Sequence, residues 1–462
     1  GGLRSGVAPV SLKVVVVGGG IGGAAAALRL GQAGAEVTLL EAGEALGGLV
    51  VSLEVAGTPI ECFYHHVFPH ESHVISLIGE MGLAHRLDWL PGSMGVYTQD
   101  KVWPFTTPKD LLAFKPLALA DRLRAGVGAL RLAREKDWER LDQVRARDWL
   151  ASVTGPRVTE VVWDPLLHQK FGSAAPDVPA AWMWGRLQQR SGARGSSAAR
   201  GRKSSSEGRK KGELLGYMRG GFRQLFDALA VALGSTGVDV RTGTLASRIV
   251  TDGSGVTGVE LSSGETLPAD AVMYTGALPR LAGLVEQGQA DPRWLASAGL
   301  GALCVVLELA RPLGDVYWVN VCDAQLPFGG IIEHTNLVPS QDYGGRRVVY
   351  LSRYFTADED VATVDPRSEA DRWVGLLRER FPVLGPSDVL GVHPFRTPYA
   401  APLVHLGYLD AIPPRRSHIS GLYLSTTANI YPQDRGMSEG IRTATETAEF
   451  ILADHALATN PA

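Results

Sequence analysis

Gly18, Gly20 and Gly23 stand at the spacing G-x-G-x-x-G, and Glu41 follows 18 residues after the last of them. Phosphate binding explains those types at those positions. The first glycine permits a tight turn, the second lets a pyrophosphate approach the backbone, and the third lets the following helix pack against its strand. Free N–H groups at the start of that helix favour a phosphate, and a carboxylate at 41 accepts both hydroxyls of an adenosine ribose while repelling a 2′-phosphate. Gly47 and Gly48 bring a second flexible segment to the same place, which favours FAD over NAD. A glycine turn made for packing alone has no need of the whole order of strand, glycines, helix, strand and acid.

On these residues the chain resembles a known superfamily. VVVVGGGIGGAAAALRLGQAGAEVTLLEAGEALGGLV, residues 14–50, is similar to the N-terminal signature of FAD-dependent amine oxidases, protoporphyrinogen oxidases and phytoene desaturases. That superfamily often carries Arg before and after the paired glycines, where this chain has Ala45 and Leu49. Residues 421–454, GLYLSTTANIYPQDRGMSEGIRTATETAEFILAD, look like its C-terminal FAD motif, with Ser425-Thr426 in place of the usual early Gly-Asp and Asp434 displaced downstream. The resemblance implies that Asp434 lies near the cofactor and that the Gly436-Met437-Ser438 backbone points N–H groups at the flavin ring, where reduced flavin develops charge. It also makes Val240, in the return segment after Gly220-Gly221, a candidate to bracket the adenine.

Other residues carry chemistry with more than one reading. His65, His66, His70 and His73 crowd one segment without the Asp, Glu or Cys pattern of a metal site, so no metal is expected. His65 and His66 read either as turn or core residues or, by the resemblance, as active-site groups that bind substrate or move a proton near neutral pH. Arg396 either clamps a carboxylate or phosphate or makes a structural ion pair, and Tyr399 lies in the same segment, which by resemblance returns to the flavin. Tyr97, Trp103 and Phe105 either wall an apolar cavity or fill a core. Lys170 and His168 read as surface groups or catalytic ones.

The elements that must position these residues follow from pattern. Lys13–Val17 and Glu36–Leu40 read as buried parallel strands, with an Ala- and Leu-rich helix over 21–33 between them. An amphipathic helix is expected at about 71–81, another capped by Thr107 with Pro108 as its first residue, and others at 222–233 and 366–380. Between 110 and 150, leucines at helical spacing (Leu111, Leu112, Leu117, Leu119, Leu123, Leu130, Leu132) alternate with basic residues, as in packed helices or a strip lying on a membrane surface. Residues 301–309, 315–321 and 346–355 have strand composition and turn-bounded lengths, which predicts an antiparallel sheet. The segment 191–212 is low in complexity, and from Arg186 to Lys211 nine basic residues meet one acidic residue, so a mobile loop is expected there.

The fold class expected is α/β: a Rossmann-like FAD-binding domain (10–85, 213–290, 416–457) interleaved with an α+β substrate domain containing an antiparallel sheet (86–212, 291–415). With 45 basic and 48 acidic residues in 462, no global field recruits nucleic acid. Cys62, Cys304 and Cys322 are scattered without metal-ligand spacing, which fits a reducing compartment, and no leader or spanning segment is apparent, so a cytoplasmic protein, peripheral to a membrane at most, is expected. The function these readings support is an FAD-dependent oxidoreductase, an oxidase or desaturase. It takes hydride from a large, mostly apolar small molecule such as an isoprenoid or porphyrinogen and passes electrons to oxygen or a quinone. The alternatives are a flavin-dependent sugar-nucleotide mutase and a non-catalytic FAD-containing binding or scaffold protein.

Overall fold

The computed structural model describes residues 12–132, 134–195, 213–434 and 436–459. Lys13–Val17 is the middle strand of a five-stranded parallel sheet, ordered Leu422–Leu424, Ala271–Tyr274, Lys13–Val17, Glu36–Leu40, Asp239–Arg241. Its valines need no polar alternation because helices cover both faces of such a sheet. The helix Ile21–Gln32 buries Ala24–Ala27 completely, and small side chains there let the last helix, Met437–Thr459, approach closely. A Cβ on Gly22 would stand 3.1 Å from the Gly440 carbonyl. The first and last helices therefore start side by side, and segments more than 400 residues apart in sequence meet at one end of the sheet.

A second sheet of seven strands runs Val389–Pro402, Gly299–Leu309, Arg347–Phe355, Gly330–Glu333, Trp318–Val321, Met94–Thr98, Lys101–Pro104. The strands expected at 301–309, 315–321 and 346–355 are joined by antiparallel pairings, and the sheet extends further than expected, because Met94–Thr98 pairs parallel to Trp318–Val321, with Met94 opposite Trp318. A parallel partner needs a long connection, and strand composition alone does not reveal one. The architecture is a two-domain α/β arrangement, with a Rossmann-like region and a mixed-sheet region.

Several local expectations match the observed elements. Thr107 caps Pro108–Ala113 in a reciprocal capping box with Asp110, and helices occupy Ser72–Glu80, Arg223–Ser235 and Pro366–Arg380. The hairpin Ser52–Val55/Thr58–Glu61 leads into the histidine segment and is anchored by Glu61, which is fully buried. Its carboxylate accepts from Phe222 N (2.6 Å) and Tyr217 OH (2.8 Å), while Tyr350 OH donates to its carbonyl (2.7 Å). That network fixes where the chain stands just before Tyr64, His65 and His66.

The leucine-rich stretch divides. Leu117 and Leu132 are buried, but Leu112, Leu119, Leu123 and Leu130 are 47–62% exposed. Helix Leu119–Leu132 turns its small residues inward instead: a Cβ on Gly128 would lie 2.6 Å from the Val153 carbonyl. Of the basic segment 191–212, residues 191–195 continue the helix Ala180–Gly195, and the rest lies outside the described residues.

Candidate functional site

One cavity of about 570 Å³ begins at the paired helix starts and continues into a chamber lined by side chains. Its first end is made of backbone. Gly18 has φ +112°, and a Cβ there would lie 2.5 Å from Thr275 Oγ1; a Cβ on Gly23 would lie 1.9 Å from the Gly18 carbonyl. Both glycines are demanded by the turn itself. Gly20 differs, since an added Cβ would meet nothing nearer than Gly48 Cα at 4.0 Å and would fill open cavity. The helix after Gly20 has no side-chain cap, so its first N–H groups remain for a ligand. Gly48, with φ +57°, closes the other side of this cradle, and Gly47 lies beside it. Glu41 is poised between them: Oε2 accepts from Gly19 N (2.8 Å) and Oε1 from Gly43 N (2.7 Å), leaving lone pairs for a ribose. These features fit the pyrophosphate and ribose of FAD.

The start of the last helix faces the same cavity through Gly436, Met437, Gly440 and Thr443. Ser438 is buried and turned away, its hydroxyl 3.5 Å from Val74 N. Val240 pairs beside Leu39 at the sheet edge and packs into the core, near the Glu41 end. Asp434 lines the cavity but is held from behind: both its oxygens accept from Lys170 Nζ at 2.9 Å, and Oδ2 from Arg186 Nη1 at 2.8 Å. Lys170 is thus a buried partner of Asp434 rather than a surface charge. Burial lowers its pKa against the raising effect of Asp434, and its ammonium lies 4.5 Å from the Trp182 ring centre. His168 is bonded to the Asp164 carbonyl and does not line the cavity.

The chamber takes Tyr64, His65, His66, Phe68 and Glu71 from the segment after the hairpin. Arg186, Gln189 and Arg190 come from helix Ala180–Gly195, and Trp318, Tyr354, Thr397 and Tyr399 from the mixed sheet. His65 bonds the Phe63 carbonyl at 2.6 Å, and His66 Nδ1 lies 3.3 Å from Tyr317 OH. Burial, reinforced by Arg190, His65 and Arg186, pulls His66 down to about 3. A shift in that direction favours the neutral ring, which can donate or accept a hydrogen bond. Glu71 shows the opposite shift. Burial pushes its carboxyl up to about 7 although Phe68 N donates to it at 2.6 Å, so it can hold a proton near neutral pH.

Tyr399 reaches the chamber, with its hydroxyl 3.4 Å from Thr427 Oγ1. Arg396 does not. It leaves the other face of the strand and donates to the carbonyls of Val364 (2.6 Å) and Val361 (3.3 Å). Tyr97, Trp103 and Phe105 are core residues rather than cavity walls: Trp103 and Phe105 pack on Phe114, and Tyr97 on Phe381. The walls come instead from Tyr64, Phe68, Trp318 and Tyr354, which sequence reasoning did not single out. For Tyr64 and Phe68 the signal was the density of aromatic and histidine residues over 63–70; Trp318 and Tyr354 had none. Among the described residues no group of three or more His, Cys, Asp or Glu is placed to hold a metal. The three cysteines are buried, and burial pushes the Cys62 and Cys322 thiols up to about 12.

Comparison with known proteins follows the same lines. The family described as flavin containing amine oxidoreductase matches residues 21–452. Hydroxyneurosporene desaturase of Cereibacter sphaeroides is 31% identical over 327 residues, 60% of this chain and 59% of that protein. Coproporphyrinogen III oxidase of Propionibacterium freudenreichii is 26% identical over 350 residues, 65% of this chain and 63% of that protein. The chain thus spans about six-tenths of the length of these curated relatives. The crystal structure of reduced UDP-galactopyranose mutase superposes with a TM-score of 0.73 at 15% identity, covering 98% of this chain and 97% of the other, so it shares the fold.

Proposed function

The chain belongs to the flavin containing amine oxidoreductase family, with FAD as its cofactor, and from that premise we propose that it oxidises a large, mostly apolar substrate. The observation that carries this reading is the continuity of the cavity: a glycine cradle at one end opens directly onto an aromatic chamber at the other. FAD, when bound, supplies a hydride acceptor at its N5. Gly18, Gly20, Gly23, Glu41, Gly47, Gly48, Gly436 and Met437 are the residues that would hold it. In the chamber, Tyr64, Trp318 and Tyr354 bind the apolar body and exclude water, and Tyr317 orients the neutral His66 ring. The Glu71 carboxyl, beside the start of the last helix, holds a proton near neutral pH. Likeness to a desaturase and a porphyrinogen oxidase favours an apolar substrate here; oxygen or a quinone would take up the electrons.

The test is anaerobic mixing of the oxidised holoenzyme with isoprenoid, porphyrinogen and amine panels while the oxidised flavin absorbance is followed. Stoichiometric bleaching by an apolar compound, reversed by oxygen or quinone, is expected. A mutase shares this fold, and it behaves oppositely: no panel member would bleach the flavin, whereas chemically reduced enzyme would isomerise a sugar nucleotide.

The exposed stripe Leu119, Leu123, Val127 and Leu130, with Leu112 beside it, supports docking of this protein on an anionic lipid surface. Lys115, Arg124, Arg131 and Arg134 flank it and are exposed, so a second copy would oppose like charges whereas acidic lipid would not. Among the described residues no helix is long and apolar enough to cross a membrane, so contact would be at the surface. Sedimentation with phosphatidylglycerol vesicles, and its loss in Leu123→Asp, tests this.

A further inference from the structure

Lys170 is only 8% exposed and stands behind the cavity wall without lining the cavity itself. It leaves helix Asp164–Phe171 and points its ammonium at Asp434, which does line the cavity; Nζ lies 2.9 Å from both carboxylate oxygens. Three rings surround the same nitrogen, with the centres of Trp182, Tyr354 and Phe171 at 4.5, 5.0 and 5.8 Å. A carboxylate at bonding distance and aromatic faces within about 6 Å both favour the charged amine. The cluster gathers both domains: Tyr354 comes from the mixed sheet, Trp182 from helix Ala180–Gly195, and Asp434 from the segment that leads into the last helix.

The loop that carries Asp434 is fastened at its other end as well. Tyr431 OH donates to the buried Asp142, and Gly185 presses on the loop so closely that a Cβ would fall 2.2 Å from the Pro432 carbonyl. Where Asp434 stands is then settled by the bonds it accepts, those from Lys170 among them, and Gly436 and Met437, which line the cofactor end of the cavity, follow directly after in the chain. Packing alone does not call for such a pair. Burying an ammonium and a carboxylate forfeits solvation that apolar side chains of similar volume never had, and replacing a buried pair with such side chains is often neutral or stabilising.

We propose that Lys170 is a positioning residue for the flavin: acting through Asp434 from behind the wall, it fixes the approach to the last helix and counters the carboxylate's charge, so that bound FAD is more readily reduced. This rests on FAD as the cofactor and holds whatever the substrate is. Reduction by two electrons places negative charge on the flavin ring, which a carboxylate in the cavity wall opposes and an ammonium behind it favours.

The experiment measures the midpoint potential of the flavin in the holoenzyme, reduced by dithionite in equilibrium with a reference dye, at about pH 8, where an ordinary carboxyl is charged. No substrate is needed. Lys170→Met should keep its FAD and lower the potential by about 30 mV, a tenfold change in the two-electron equilibrium. Lys170→Arg, which retains the charge, should show little of that fall. Adding Asp434→Asn to Lys170→Met should bring the potential back toward that of the unaltered protein, since the carboxylate is removed with its partner. A potential unchanged in Lys170→Met, or lowered equally in Lys170→Arg, overturns the inference, because Lys170 would then serve packing alone. A double variant no higher than Lys170→Met overturns the route through Asp434. If Lys170→Met loses its FAD, Lys170→Gln, uncharged but able to donate to Asp434, takes its place with the same expectation; loss of FAD from both makes Lys170 part of the fold and overturns the inference as well. Unaltered protein that holds no FAD would refute the cofactor assignment instead.

Discussion

The two ends of the cavity are built on different principles. The cradle end is mostly backbone: glycine turns, two helix starts and one carboxylate, all but the last helix drawn from residues 18–48. The chamber end is side chains, contributed by 64–71, 186–190, 318, 354 and 397–399, which only the tertiary fold assembles. Backbone geometry at the cradle leaves almost no latitude, whereas the chamber can change its lining without disturbing the fold. A site of this design keeps its cofactor fixed and leaves substrate choice to replaceable residues.

The sharpest way to break that contrast is at the glycines. Gly23→Ala forces a Cβ to 1.9 Å from the Gly18 carbonyl, so it should lower stability by roughly 3 kcal/mol and abolish FAD retention together. Thermal unfolding and FAD content read both. Gly20→Val should separate them, because its side chain enters open cavity: the protein folds with a near-normal unfolding temperature but takes up no FAD. If it bound FAD normally, the cradle would not be where the phosphates lie.

Glu41→Ala comes next in size. Removing a charged hydrogen-bonding partner is expected to weaken FAD binding by about ten- to a hundredfold. Because Glu41 also braces Gly19 and Gly43, a modest loss of stability should accompany it, measurable by unfolding of the apoprotein. At the chamber end, Trp318→Leu should leave FAD content unchanged and raise KM about tenfold, the scale of one large apolar contact. A loss of FAD there would erase the distinction between the ends.

What the sequence reveals follows the same division. Gly18, Gly20, Gly23 and Glu41 are recognisable because the constraint is local, set by turn geometry within one strand–helix–strand unit. The chamber has no local signature. Trp103 and Phe105 pack on Phe114, yet in sequence they look no less like cavity walls than Trp318, which does line the cavity. Arg396 and Thr397 are neighbours on one strand, and which of them faces the cavity depends on a register of one residue. The low-complexity composition predicts a mobile loop from 191 onward, yet the helix that carries Arg186 and Arg190 continues to Gly195.

The smallest expected effect concerns pH. Burial raises the carboxyls of Glu71, in the cavity, and Glu333, in the mixed sheet, to about 7. A carboxyl whose folded pKa is raised contributes stability that is full below its ordinary value near 4.5 and is lost as pH rises through about 7. Glu71→Gln and Glu333→Gln should therefore each flatten the fall in unfolding temperature across that window. In Glu71→Gln alone the flavin spectrum should also lose its pH dependence. An unchanged slope in both variants would show that other groups govern it.

The central claim is that the cradle at the paired helix starts holds FAD. The most direct measurement is denaturation of the purified protein followed by chromatographic identification and quantitation of the released nucleotide. FAD is expected at about one per chain, as a single dinucleotide cradle requires. Release of NAD, or a colourless protein that takes up no added FAD, would contradict it.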